Sequence, residues 1–238
     1  MYLSGLEKFS LIDYPGKIAA VVFTQGCNFR CSFCYNPMLI GPPVTGVSSK
    51  EKNHPYFSED GFFSFLKTRQ GKLDGIVISG GEPTSQDDLL DFILKIKKLN
   101  FSVKLDTNGS RPEVLASLLD KKVLDYIAMD IKGPRDKYRE IISVEIDFNK
   151  ILESINLIMK SRINYEFRST LVPAILGKSD IAQMGELIQG TERWYLQNFK
   201  SNAELLNKNL EGSRSFSDEE MSEMREIGAR YVRRCEIR

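Results

Sequence analysis

Cys27, Cys31 and Cys34 crowd into the stretch "GCNFRCSFCYNP" (26–37), which otherwise has the composition of a loop. Three thiolates so close together can share one metal centre. A structural zinc ion usually takes four protein ligands. Here the fourth would be His54, the only histidine, or Cys235 near the far end. A catalytic zinc with an open position normally uses more histidine than this chain owns. Iron–sulfur cubes are held by cysteine thiolates, normally four. With three thiolates, one iron keeps an open, Lewis-acidic corner inside a redox centre. Such a corner can take a small chelating ligand, for instance an amino-acid amine plus carboxylate.

Other polar clusters accompany the thiols: "SGGEPT" (79–84), "DTNG" (106–109), "MDIKGP" (129–134) and "RSTLVP" (168–173). Each follows or ends an apolar run. Taken singly, each has a bland reading. "DTNG" is good turn chemistry, "SGGEP" is a turn before a helix, and "DIKGP" closes a strand. The pattern gains meaning if all of them lie at one end of one sheet, because parallel α/β architectures bind ligands at the carboxyl ends of their strands.

The elements that must position these clusters are legible as periodicity. Six short runs rich in Val, Ile and aromatics read as buried strands: 17–23, 75–80, 102–106, 124–130, 164–170 and 194–199. Helical patterns fall between them at 85–100, 111–122, 148–162 and 179–190. For the first of these, Ser85 is expected as the N-cap, with Leu89, Leu90, Ile93, Leu94 and Ile96 as the apolar stripe. Gly190 is expected to stop the last. Strands alternating with helices predict a parallel sheet with right-handed crossovers. Six units without a long linker favour a curved, partly closed barrel, with a flat doubly wound sheet as the alternative. The expected organisation is a single domain over 1–238, with a core at about 17–200. Residues 41–57 read as a long polar loop, and 201–238 as a helix and tail whose "YVRRCEIR" is either an edge strand or frayed.

Composition narrows the function classes. The 238 residues are 42% hydrophobic and 27% charged, enough for a core without disulfide staples. Thirty-three basic and 32 acidic residues nearly cancel. No general field for nucleic acid or membrane surfaces is expected. The longest purely apolar run, "IAAVVF" at 18–23, is too short to span a bilayer. The first residues lack the order of a signal peptide, so a cytoplasmic location is expected. Clustered cysteines fit a reducing compartment and a metal better than a disulfide framework.

The spacing Cys27-x3-Cys31-x2-Cys34, with Phe33 just before the last cysteine and "SGGEPT" some fifty residues later, resembles the signature of radical S-adenosylmethionine (SAM) enzymes. "SLIDYPGKIAAVVFTQGCNFRC" and "DTNG…MDIK" are similar to the small activating proteins of glycyl radical enzymes. The likeness is to the anaerobic ribonucleoside-triphosphate reductase type and to the activase of pyruvate formate-lyase, and runs from about residue 4 to 200. It implies a partial (β/α)6 barrel and one [4Fe–4S] cluster on Cys27, Cys31 and Cys34, with SAM chelating the fourth iron. By the same resemblance, Gly80, Gly81 and Glu82 would meet the methionine amino group, and Phe33 would lie near the adenine. Asp106, Asn108, Asp130 and Lys132 match positions around SAM. Lys132 would pair its carboxylate, or Asp106 and Asp130 would share a small monovalent cation. Arg168 is a further candidate.

The implied activity is reductive cleavage of SAM to a 5′-deoxyadenosyl radical, which takes hydrogen from a glycine of a partner enzyme. A low-potential donor such as flavodoxin or ferredoxin would supply the electron. Two competing readings remain: a small radical SAM enzyme acting on a small molecule or peptide, and a zinc-bearing interaction module without catalysis. The sequence departs from related activases at Tyr35, where they usually carry histidine, and after the sixth run, where Asn198 or Lys200 stands in place of a histidine near SAM. Cys235 reads as an inert thiol.

Overall fold

The computed structural model describes residues 1–41 and 58–238. The expected 41–57 loop beyond Gly41, and His54 within it, lie outside the described residues. Among the described residues, eight strands are hydrogen-bonded in chain order: β1 (Leu3–Ser10), β2 (Ala19–Thr24), β3 (Gly75–Gly80), β4 (Ser102–Thr107), β5 (Tyr126–Asp130), β6 (Asn164–Leu171), β7 (Arg193–Asn198) and β8 (Arg234–Ile237). Seven α-helices accompany them among the described residues: α1 (Glu59–Lys67), α2 (Leu89–Lys98), α3 (Pro112–Asp120), α4 (Arg135–Ile142), α5 (Phe148–Lys160), α6 (Lys178–Leu187) and α7 (Asp218–Gly228). All six anticipated strands are present. The helices α1 and α4 and the strand β1 were not anticipated.

The chain forms two compact units of interleaved sequence. The first comprises 1–28, 38–107 and 113–127; the second comprises 29–37, 108–112 and 128–238. In the first unit, β1 runs antiparallel to β2, and β2–β3 and β3–β4 are parallel. β2 and β3 are buried for nearly their whole length, which is why they read as continuous apolar runs and not as alternations. Tyr14, Ala19, Val21, Val77 and Tyr126 form one core cluster, with Phe23 packed against it. Tyr14 meets Tyr126 edge-on at 5.8 Å. It also lies over Gly75, where a Cβ would come within 2.8 Å of its ring. Burying each such apolar side chain stabilises by about 1.5–3 kcal/mol.

In the second unit, β6–β7 and β7–β8 are parallel. The tail therefore carries a true edge strand. Cys235 pairs with Trp194 in its register and is buried. α5 buries Phe148, Ile151, Ile155 and Ile158, one stripe at helical spacing, and Asp147 caps it by accepting from the Asn149 amide. α7 opens with a capping box in which Glu220 N donates to Ser217 Oγ and Ser217 N donates to Glu220 Oε2.

α2 starts later than expected. Pro83–Ser85 form a short 3-10 turn capped by the Glu82 side chain, so Ser85 belongs to that turn. Asp88 is the residue before the helix and makes no side-chain cap bond. The buried stripe is Leu89, Phe92, Ile93 and Ile96, while Leu94 is an exposed residue. The misreading came from counting two adjacent leucines as one face; spacing of three and four selects Phe92 instead. Gly190, at φ +84°, lies three residues past the end of α6.

Candidate functional site

In the first unit, two of the polar clusters meet through backbone. Thr24 ends β2 opposite Gly80 at the end of β3. Gly81 N donates to Thr24 O at 2.9 Å, and Glu82 N donates to Gly26 O at 2.8 Å. The two glycines are required by this approach. Gly80 has φ +113°, and a Cβ there would fall inside 3.0 Å of the Thr24 backbone. A Cβ on Gly81 would fall inside 3.0 Å of the Gly26 carbonyl. What fills the space of the missing side chains is the chain's own backbone just before Cys27. Gly26 N in turn donates to Leu39 O, and Cys27 N to Ile40 O at 3.3 Å.

Glu82 is 1% exposed. Its Oε1 accepts from Thr84 N at 3.1 Å, Thr84 Oγ1 at 2.5 Å and Thr107 Oγ1 at 2.8 Å. A buried carboxylate needs such donors in place of water. The glutamate thereby joins the "SGGEPT" turn to the end of β4. Asp106, also on β4, has an ion-pair partner that was not anticipated: the Lys104 ammonium.

In the second unit, Cys31 and Cys34 share a tight turn in which Cys34 N donates to Cys31 O at 3.1 Å. The loop is pinned to the end of α4, where Arg30 N donates to Ile142 O and Ser32 N to Ile141 O. Phe29 is buried edge-on against Tyr138 at 6.5 Å. Phe33 is buried as well. Cys31 is buried and Cys34 half-buried, and none of the four cysteines is disulfide-bonded. Burial pushes the Cys31 thiol up; the Lys132 ammonium opposes this, and Cys34 and Asp130 reinforce it.

The "MDIK" and "RST" clusters also meet. Ile131 N donates to Arg168 O at 2.8 Å. Asp130 accepts from Lys132 Nζ at 2.9 Å and Arg168 Nε at 3.1 Å. Burial alone would raise the Asp130 carboxyl, but the two cations overcome it and hold the carboxyl down at about 2. For Lys132 burial acts downward, and Asp130 outweighs it, so its ammonium is strengthened. Asn108 Oδ1 accepts from Ser110 N at 2.9 Å, the turn bond expected of "DTNG".

Tyr35 stacks on Phe199 with centroids 6.2 Å apart, and its hydroxyl accepts the Lys200 amide at 2.8 Å. Asn198 is occupied otherwise: its amide donates to Phe216 O and accepts from Phe216 N. Among the described residues, no three His, Cys, Asp or Glu side chains gather as a single-ion site. Cys235 lies against Gly228 and Trp194, where a Cβ on the glycine would come within 2.7 Å of the sulfur. No helix among the described residues is long and apolar enough to cross a membrane.

Comparison with known proteins decides the family. The sequence matches the Radical SAM superfamily over residues 21–188. The chain belongs to the radical SAM superfamily. A Methanocaldococcus jannaschii protein with the provisional name glycyl-radical enzyme activating enzyme is 32% identical over 99% of this chain and 95% of its own length. The pyruvate formate-lyase-activating enzyme of Clostridium pasteurianum is 29% identical over 79% of this chain and 76% of its own. Among solved structures, Streptococcus suis SuiB bound to precursor peptide SuiA superposes with a TM-score of 0.65 at 11% identity. That match covers 92% of this chain and 48% of SuiB, and shows the fold alone. The radical SAM fold, α/β with a parallel-strand sheet, is the one expected from the sequence.

Radical SAM membership implies a [4Fe–4S] cluster and SAM. The thiols of this chain fit the cluster. The thiols are not in disulfides, the loop that carries Cys31 and Cys34 is fixed by backbone bonds on both sides, and a lysine ammonium opposes the burial of Cys31. A thiolate, and not a thiol, is the ligand form.

Lys104 and Tyr35 are the site-adjacent residues whose contacts sequence reasoning missed. Lys104 had a signal: in a strand, residues two apart share a face, so it must lie beside Asp106. Tyr35 had none, because its partners lie more than 160 residues away.

Proposed function

We propose that this radical SAM enzyme is an activase of a glycyl radical enzyme. When bound, the cluster and SAM supply a reductively generated 5′-deoxyadenosyl radical that takes one hydrogen from a glycine Cα of the partner. The observation that supports this best is likeness to an activating enzyme over nearly the full length of both chains, beside a chain that has three clustered cysteines and one spare. One spare thiol cannot build a second cube.

Under this reading the chain's own residues bind and orient. Cys27, Cys31 and Cys34 hold three irons. Gly80, Gly81 and Glu82 present backbone carbonyls and a carboxylate to the methionine ammonium. Phe33 lies toward the adenine. Asp106, Asn108, Asp130, Lys132 and Arg168 are carried over from the family resemblance as further SAM-binding residues, Lys132 and Arg168 in their ion pairs with Asp130. The reaction requires no side-chain acid, base or nucleophile, which fits a chain with a single histidine. The work of the protein is geometry and exclusion of water. An external low-potential protein, flavodoxin or ferredoxin in type, supplies the electron.

The test is anaerobic. Protein reconstituted with iron and sulfide, then given reductant and SAM, should release 5′-deoxyadenosine and methionine. Added candidate glycyl radical enzymes should develop a glycine-centred EPR doublet. Cleavage of SAM without any doublet, but with conversion of a small molecule or peptide, would move the assignment to that substrate class. Stoichiometric zinc in the protein as isolated, with no SAM cleavage, would remove the radical reading.

A further inference from the structure

Lys104 is a buried lysine for which the radical chemistry has no evident need. Its side chain is 1% exposed and shares a strand face with Asp106, two residues on. Its ammonium pairs with Asp106 Oδ1 and lies 5.9 Å from the centroid of the Tyr126 ring. The Asp106 side chain is 13% exposed, so little water reaches the pair. A buried ammonium persists only with such compensation from an anion and a ring face.

Asp106 is one of the two carboxylates for which the sequence suggested a small monovalent cation. The other, Asp130, is matched within its own unit by Lys132 and Arg168. A hard metal cation needs several oxygen ligands around it. Lys104 brings three donors and no acceptor to the same carboxylate. A metal ion there would also sit a few ångströms from a fixed positive charge, with little water to screen the repulsion.

We propose that Lys104 is itself the cation of this site. Its tethered ammonium takes the charge-compensating place at Asp106, and the protein takes up no sodium or potassium there. The inference rests on the reading of Asp106 as a SAM-site residue. Lys104 is then a positioning residue that acts through Asp106.

The test uses the anaerobically reconstituted holoprotein. Sodium-23 NMR relaxation is titrated, while thermal unfolding and SAM cleavage are compared in sodium, potassium and choline chloride at equal ionic strength. The wild type should show no saturable sodium signal, with cleavage rates agreeing within about twofold across the three salts. Lys104→Met keeps the stem and removes the charge. It should lose cleavage about tenfold or more in choline chloride, recover most of it in potassium or sodium chloride, and acquire a saturable sodium signal. Should that variant fail to fold, Lys104→Arg keeps the charge and should remain salt-independent. A saturable sodium site in the wild type that Asp106→Asn removes overturns the proposal. So does a Lys104→Met protein that loses cleavage equally in all three salts. Absence of SAM cleavage from every sample would defeat the radical reading instead, and the sodium titration of the wild type would still decide the role of Lys104.

Discussion

The Cα hydrogen of Gly81 points at the carbonyl oxygen of Gly26, so closely that no side chain fits between them. This contact joins the turn after β3 to the chain one residue before Cys27. It makes a sharp prediction. In Gly81→Ala, backbone must move, because the obstacle is not the flexible end of a side chain. Overpacking typically costs about 1–3 kcal/mol, occasionally more, and this site stands at the upper end. Urea denaturation of the apoprotein should show the loss. Iron retention after reconstitution should fall with it. Unchanged stability would mean that the two backbones are not in contact.

Asp130 makes stability depend on pH. Its carboxyl is held at about 2 in the folded protein, below the ordinary value of 3.8. The unfolded chain therefore binds the proton more readily. The ion-pair contribution is complete above about pH 4 and is lost as pH falls through about 2. Denaturation midpoints at pH 5 and pH 3 should differ more in the wild type than in Asp130→Asn. Equal differences in the two proteins would show that Lys132 and Arg168 do not depress this carboxyl.

Tyr35 separates packing from hydrogen bonding. Tyr35→Phe keeps the ring on Phe199 but removes the acceptor for the Lys200 amide. A loss of about 1 kcal/mol is expected, the net value of such a bond. The cluster absorbance of the reconstituted variant should be unchanged, since no ligand is altered. Loss of iron in this variant would give Tyr35 a direct part in the metal centre.

The four cysteines should divide into two kinds. Cys31→Ala should abolish cluster assembly, because two thiolates do not hold the cube. Cys235→Ala should leave iron and sulfide content at the wild-type level and cost about 1–2 kcal/mol for the small cavity beside Trp194. Burial raises the Cys235 thiol to about 12, so alkylating reagents at neutral pH should leave it unmodified in the folded protein. Rapid modification of Cys235, or iron loss on its removal, would place it with the ligands.

Local order determined what could be read along the chain. The strands β2, β3 and β5 were visible because parallel strands covered on both faces must be largely apolar, and "GIVISG" or "YIAMD" has no other easy home. The thiol spacing and the cluster after each strand were equally legible, since ligand type and interval are written in a dozen residues. β1 escaped notice because its middle is polar and half-exposed: it pairs by backbone bonds to β2, and such pairing leaves little mark on side-chain choice.

Only the tertiary structure decided which partners those residues take. Gly80 and Gly81, read as positions where backbone approaches a ligand, make room for the backbone of Thr24 and Gly26. Asn198, a stand-in for a missing histidine by sequence, is consumed by the Phe216 backbone, and Lys200 gives its amide to Tyr35. Asp130, two residues from Lys132 in sequence, also found Arg168 from the next strand. For the polar residues the physical reason is the same. A residue's intrinsic chemistry is local, but burial removes water, and the groups that must then replace water are supplied by whichever segments the fold brings alongside.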